Sequence, residues 1–206
     1  MKALFKIGLG AVLLAASVAA NAQASANIGW ASEYHFRGIL QKVSSASGGL
    51  DYESGGFYVG TWAADVGDGL EVDGYFGYGA DVGDFSLSIG YTGYFYTGDF
   101  DDTYQEINLG GAFAGLSLDV AIGEYDNFTG PTLDYTYAAL TYEYEGFYGT
   151  YGTFSQDFDG SYIELGYGTT IAEIDFGIAL ILADDDLLGG EDDESLIFSI
   201  GKSFDL

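Results

Sequence analysis

The sequence predicts an all-β protein, a transmembrane up-and-down antiparallel β-barrel of about twelve strands, and three observations predict it. Apolar residues recur at every second position along nearly the whole chain, the row between them is built from Gly, Ser, Tyr and acids, and turn signals fall at short, regular intervals.

The chain opens on Lys2 and Lys6, an apolar run from Ile7 to Ala19, and Ala20-Asn21-Ala22 ahead of Gln23. Charged, apolar and small-residue regions in that order are the pattern of a secretory signal peptide. The apolar run is too short to cross a bilayer core of about 30 Å as a helix. The expected division is therefore a signal peptide at 1–22 and an exported barrel at 23–206, with Arg37, Lys42 and Lys202 as its cations. No later segment reaches eighteen consecutive apolar residues, so no membrane-spanning helix is expected.

The strands are read from their alternation. Leu70, Val72, Phe76, Tyr78 and Val82 oppose Glu71, Asp73, Tyr75, Gly77 and Asp81. Phe85, Leu87, Ile89, Tyr91 and Phe95 oppose Ser86, Ser88, Gly90, Thr92 and Tyr94. Leu116, Leu118, Val120 and Ile122 oppose Ser117, Asp119, Ala121 and Gly123. Ile174, Phe176, Ile178, Leu180 and Leu182 oppose Glu173, Asp175, Gly177 and Ala179. Successive side chains of a strand point to opposite faces, so each segment has one apolar and one polar, small-residue face. No window fits a helical period better.

Turn chemistry sets the strand count. Tight turns are expected at Ser54-Gly55-Gly56, Gly83-Asp84, Ala114-Gly115, Glu145-Gly146 and Thr170-Ile171. Longer connections are expected at Val43 to Ala46, Val66 to Gly69, Thr97 to Thr103, Glu124 to Pro131, Ser155 to Gly160 and Asp184 to Asp193. The two classes alternate, as in a barrel with loops at one end and tight turns, plus both termini, at the other.

A soluble β-sandwich also alternates, but its polar face carries mixed charge with plenty of Lys. Here Lys plus Arg is 5 against 32 Asp plus Glu, for a formal charge of −27, while 48% of residues are hydrophobic and 17% aromatic. That charge excludes nucleic acid as a partner, because phosphate recognition needs a basic footprint. The apolar content excludes disorder. With no cysteine and a single histidine, disulfides, thiolate metal sites and cysteine nucleophiles are also excluded.

The last residues, Ser199 to Leu206, resemble the terminal assembly signal of outer-membrane proteins: Gly201, then apolar Phe204 and Leu206 at the antepenultimate and last positions. Lys202 falls on the lipid-facing parity near the end, where its stem can snorkel to headgroups. The opening stretch carries a second resemblance. Asn27-Ile28-Gly29-Trp30-Ala31-Ser32-Glu33-Tyr34-His35-Phe36-Arg37-Gly38, Gln41, Gly48-Gly49-Leu50-Asp51-Tyr52-Glu53, Gly56 to Trp62 and Glu71 to Tyr75 together resemble the opening of the TorF-like family of outer-membrane porins. The resemblance implies a barrel in the bacterial outer membrane with a passive transport role.

Charge on the lipid face costs about 2–4 kcal/mol for Lys or Arg at mid-bilayer and less for acids. The acids are therefore expected inside. The candidate pore-lining residues are Glu33, His35, Arg37, Asp51, Glu53, Glu71, Asp73, Asp81, Glu106, Asp119, Glu143, Glu164, Glu173 and Asp175, with Asp205 on the same parity. Arg37 among carboxylates is expected to be paired bidentately with Glu33, Glu53 or Asp73. The functional expectation is a small, passive, cation-preferring channel for small polar solutes. The alternative is an interior packed with Tyr, Gly and a Glu33–Arg37 type network that transmits nothing, the barrel then serving a structural or adhesion role through its acidic loops.

Those loops, around Asp99, Asp101 and Asp102, Asp157 and Asp159, Asp184 to Asp186, and Glu191 to Glu194, suggest calcium, but the EF-hand pattern fails at Leu188 and Ser195. Enzymatic activity is not expected: an acyl-transfer site needs a Ser–His pair, and His35 takes the lumen parity. Gly74-Tyr75-Phe76-Gly77-Tyr78-Gly79 is not followed by a helix and is no dinucleotide loop. Trp30, Tyr34, Phe36, Phe85, Phe95 and Phe204 are expected to form aromatic girdles at the membrane interfaces. No cofactor is expected. The partners are outer-membrane lipid and lipopolysaccharide, the barrel-assembly machinery, and small polar solutes or cations, and no oligomeric state is implied.

Overall fold

The computed structural model describes residues 22–188 and 193–206. The expected signal peptide, but for Ala22, and Glu191 and Asp192 of the last acidic loop lie outside the described residues. Twelve antiparallel strands close into one barrel, each paired with its chain neighbours and β1 (Gln23–Phe36) with β12 (Asp193–Asp205). Closure leaves no unpaired edge, the condition for a sheet to cross a membrane. The remaining strands, in order, are β2 (Ile39–Ser54), β3 (Phe57–Gly67), β4 (Gly69–Val82), β5 (Phe85–Tyr96), β6 (Tyr104–Phe113), β7 (Leu116–Tyr125), β8 (Leu133–Tyr144), β9 (Phe147–Gln156), β10 (Ser161–Ile171) and β11 (Ile174–Ala183). A single helical turn, α1 (Asp185–Leu188), follows β11.

The two-residue period is kept around the wall. Leu87, Ile89, Leu118, Ile122, Ile178 and Leu180 are all exposed on the outside. In water such a belt would be an aggregation surface; against acyl chains it is the solvated face. Trp30, Phe85, Phe95 and Phe204 sit on this exterior. Tyr34 and Phe36 do not, contrary to the girdle expectation. Tyr34 is buried, with its ring edge against Trp62 at 5.6 Å, and Phe36 packs edge-on against Tyr94 at 5.2 Å. Here the β1–β2 register shifts: Tyr34 pairs with Lys42 and His35 with Leu40, so Gln41 of β2 is the extra residue of a bulge, with Ser44 at φ +60° nearby. Opposite that irregular stretch Tyr34 and His35 are both buried.

Five hairpins at one end are tight, as the turn residues predict, and both termini lie there: Ser25 pairs with Asp205 and with Asp51. Positive φ at both central residues, as in Ala114-Gly115 and Glu145-Gly146, meets the type I′ requirement and matches strand twist. The last of these turns is Ala172-Glu173 rather than Thr170-Ile171. At the other end, two expected loops are absent. Val43 to Ala46 lies inside β2, and the chain reverses instead at Arg37-Gly38, φ +50° and +87°. Its Xaa-Gly form matches the tight turns, so the signal was present in the sequence. The Val66 to Gly69 connection is also tight, with Gly67 and Gly69 both at positive φ.

Inside, tyrosines lie across glycines of neighbouring strands. A β-carbon at Gly166 would fall 2.3 Å from the Tyr148 ring, and that tyrosine's hydroxyl donates to Glu164. Replacing Gly166 with valine is therefore expected to lower stability by about 1–3 kcal/mol through overpacking. The check is the urea midpoint of the folded band in unheated gels; an unchanged midpoint would show that the Tyr–Gly contact does not matter.

Candidate functional site

The lumen has two unlike halves. In the loop half the wall residues are large and buried, and they meet across the axis. Tyr135, Tyr137, Phe154, Tyr162, Ile181 and Ile197 form one cluster, and Tyr34, Ala64 and Val66 a smaller one. The β1–β2 turn folds over them: a β-carbon at Gly38 would lie 2.7 Å from the Tyr162 ring and 2.9 Å from Leu187 of α1. Glycine thus lets the turn seat on the interior cluster.

Arg37, in that turn, crosses the lumen. Its guanidinium donates bidentately to Glu106 on β6, Nη1 to Oε2 at 2.9 Å and Nη2 to Oε1 at 2.7 Å. The partner is therefore Glu106, and not Glu33, Glu53 or Asp73 as expected. Glu106 also accepts from Tyr94 at 2.8 Å, Tyr135 at 2.8 Å and Asn108 at 2.7 Å. The guanidinium lies 4.2 Å from the centre of the Tyr137 ring and 4.7 Å from that of Phe36. A buried ion pair holds when such secondary hydrogen bonds satisfy its remaining groups. Among the described residues, two nearby atoms have no hydrogen-bond partner: Arg37 Nε and Asp73 Oδ1, both buried.

The other expected residues divide by height. In the loop half, Glu33 lies 3.0 Å from Nε2 of buried His35, and buried Glu71 accepts from Tyr34 at 2.5 Å and Tyr96 at 3.0 Å. Glu164, also buried, accepts from Tyr148. Toward the tight-turn end the strands carry Asp51, Glu53, Asp81, Asp119, Glu143 and Asp175. Asp51 accepts from Tyr75 at 2.5 Å, Asp81 from Ser86 at 2.7 Å and Asp175 from Thr170 at 2.5 Å. Asp205 takes a bond from Gln23 at 2.9 Å at the rim. Glu173 departs from the expectation. It sits exposed on the Ala172-Glu173 turn and accepts from Lys202 at 3.1 Å, because the hairpin reverses one pair later than its parity assumed. Gly201 pairs with Gly29, Phe204 with Ala26, and the Leu206 amide donates to Ala24 at 2.9 Å, so the expected assembly segment forms the barrel seam.

A cavity of about 350 Å³ occupies the tight-turn half and ends at the Arg37–Glu106 pair. Its wall includes Tyr58, Trp62, Tyr94, Asp73, Asp119 and Asp175. The tyrosines were the signal sequence reading underused: alternation marks a face as inward, but only their reach across neighbouring glycines shows that they fill it. Outside the strands, the acids serve local order. Asp184 is pushed up by burial, but bonds from the Ser161 amide and hydroxyl and the Leu187 amide outweigh that and hold its carboxyl below the usual range. Asp186 is raised by Asp185 and Asp159 beside it. Among the described residues, no group of three acidic or His side chains is arranged to hold a metal ion.

A family model described as a bacterial protein of unknown function (Gcw_chp) matches residues 15–205. No curated protein matches the chain. Among solved structures, one reported in work on in-meso crystallization of membrane proteins is 11% identical with a TM-score of 0.56, over 89% of this chain and 84% of that one. That likeness is one of fold. Looser matches are OccD1 (OprD), 13% identical, TM-score 0.45, over 90% of this chain and 66% of that one, and the outer membrane protein OpdK of Pseudomonas aeruginosa, 14% identical, TM-score 0.40. The chain aligns over 80% of its own length with OpdK and spans only 58% of that protein.

Proposed function

Taking as premise that the chain belongs to the Gcw_chp family of bacterial proteins of unknown function, we propose that it is a small outer-membrane porin, a passive, cation-preferring channel for small polar solutes. The observation that carries this reading is the cavity of about 350 Å³, whose wall bears Asp73, Glu106, Asp119 and Asp175 while Arg37 is taken up by Glu106 and the ammonium of Lys202 by Glu173. Carboxylates that outnumber the cations along a narrow path attract cations and repel anions. The outward apolar belt, the export signal expected at 1–22, the terminal assembly segment and the resemblance to the TorF-like family support placement in the outer membrane. Nothing in the reading calls for an enzyme.

The Arg37–Glu106 pair and the tyrosines around it form the constriction. A second reading rests on the same packing: a loop half filled with Tyr135, Phe154, Ile181 and Ile197 also suits a non-conducting barrel that acts through its acidic loops.

Refolded residues 23–206 in a planar bilayer under a salt gradient decide between them. Discrete current steps with a reversal potential of cation-selective sign are expected, and that potential should move toward zero when Asp119 and Asp175 are both changed to asparagine. Protein that inserts, as judged by heat-modifiable migration, yet passes no current would overturn the channel and leave the second reading.

A further inference from the structure

We propose that residues 32–46, the loop-end half of the β1–β2 hairpin, form a flap that closes the lumen and swings out into the wall to open it. The inference deepens the porin reading, on which it rests for there being a path to open.

Among the described residues, the flap is laddered with itself and with neither neighbour. On one flank the ladder between β1 and β12 ends at Ala31–Ser199, although β1 runs on to Phe36 and β12 begins at Asp193. On the other flank the ladder between β2 and β3 ends at Ser47–Ala64, while β1 and β2 stay paired as far as Phe36–Ile39. Backbone bonds at the β1–β12 seam fall on even-numbered residues of β1, as where the Leu206 amide donates to Ala24 at 2.9 Å. A ladder continued past Ala31 would therefore give the Phe198 amide to the Ser32 carbonyl. That amide goes instead to the Ser32 hydroxyl, at 2.9 Å.

A wall strand keeps one face on lipid, and the end of β1 does not. Tyr34, His35 and Arg37 are 3%, 1% and 7% exposed, so neighbours that point opposite ways are both covered. Protein lies on either side of them. Tyr34 donates to Glu71 of β4 at 2.5 Å and Phe36 packs on Tyr94 of β5, whereas Glu33 accepts from Ser195 of β12. The strand end stands inside the barrel, and Arg37 reaches on to Glu106. On β2, the unpaired Gln41 and Ser44 at φ +60° supply the bends that let the hairpin leave the wall.

The sequence is patterned for the other position. Ile28 and Trp30 face outward, and alternation carried on from them puts Tyr34 and Phe36 on that same outer face. They would stand there if the β1–β12 ladder ran on, with Tyr34 opposite Leu196 and Phe36 opposite Glu194. Swinging out exchanges the Tyr34–Glu71 and Arg37–Glu106 bonds for rungs from Ser32 to Phe36, and carries Arg37 to the water at the loop end. Either position satisfies the backbone or the side chains of the hairpin, as a two-state element requires.

Cysteines at positions 34 and 196 read the swing, since the chain has none of its own. With the flap in, Tyr34 lies in the lumen and Leu196 is exposed on the outer face, so their β-carbons point apart and cannot be bridged. With the flap out, their α-carbons stand about 5.5 Å apart, within disulfide range. Oxidation of refolded Tyr34→Cys/Leu196→Cys in lipid vesicles is expected to form the bridge. Bilayer conductance should then be at least threefold higher oxidised than after reduction of the same protein. Trp30→Cys/Ile200→Cys, a pair already opposite in the wall, should bridge with no change in conductance. If this control bridges and the flap pair does not, the flap is overturned; a bridged flap with unchanged conductance overturns it as the gate. Phe36→Cys/Glu194→Cys, the next outward pair of the same register, takes over should the first variant lose its heat-modifiable band. The two readings fail separately: current without the bridge sinks the flap alone, and a bridge in a barrel that passes no current, oxidised or reduced, sinks the channel alone.

Discussion

Changing Glu106 to alanine is expected to destabilise the barrel by about 3–5 kcal/mol and to raise its single-channel conductance several-fold. Both effects follow from one geometry. The carboxylate receives two bonds from Arg37 and one each from Tyr94, Tyr135 and Asn108, all at 2.7–2.9 Å. Its removal strands a guanidinium in the interior, and breaking a buried pair from one side costs on that scale because the surviving charge is left unsatisfied. Arg37→Ala should cost less, since the carboxylate it leaves behind still has three donors. Both variants should open the constriction, because the β1–β2 turn loses its tie to the far wall. Replacing the pair together, Arg37→Met with Glu106→Leu, should recover much of the stability while leaving the axis blocked by apolar side chains. Urea titration followed by unheated gel migration gives the stabilities, and bilayer recordings the conductances. If Glu106→Ala leaves conductance unchanged, this pair is not the constriction.

The second large effect concerns the outer face. Ile178 lies midway along β11 and points outward, 40% exposed. Arginine there should cost about 2–4 kcal/mol, because its charge would sit at the bilayer midplane. Ile171 is also outward, but at the tight-turn end of β10. The same substitution there should cost about 0–1 kcal/mol, since the side chain reaches the headgroups. The contrast is measured by unfolding in lipid vesicles. Equal costs at the two positions would mean that the apolar belt is not a membrane-spanning surface.

Much of this architecture is legible locally. The lipid face is written in rows such as Ile174, Phe176, Ile178, Leu180 and Leu182, because a strand's side chains alternate whatever the strand pairs with. Turns such as Ala114-Gly115 are legible for a similar reason, as positive φ restricts which residues can stand there. The inward placement of Glu71, Asp73 and Asp175 followed from the same parity. Local rules broke at both ends of the barrel. At one, the β10–β11 hairpin reverses at Ala172-Glu173 instead of Thr170-Ile171; at the other, the β1–β2 turn falls at Arg37-Gly38, and Gln41 of β2 is left unpaired beside Tyr34 and His35.

By itself, then, the sequence determined the strand number, the outward and inward faces and the end at which the chain begins and ends, because each depends on a few consecutive residues. Tertiary structure alone decided what the inward face does. Arg37 and Glu106 are 69 residues apart, and they meet only because closure of the barrel sets β6 across the lumen from the β1–β2 turn. Tyr137 of β8 and Tyr162 of β10 share a hydrogen bond at 2.7 Å over Gly152 of the strand between them, a contact the alternation of either strand alone does not show. Alternation says that a side chain points inward; how far it reaches, and whom it meets there, depends on the diameter and register of a wall that exists only when all twelve strands are in place.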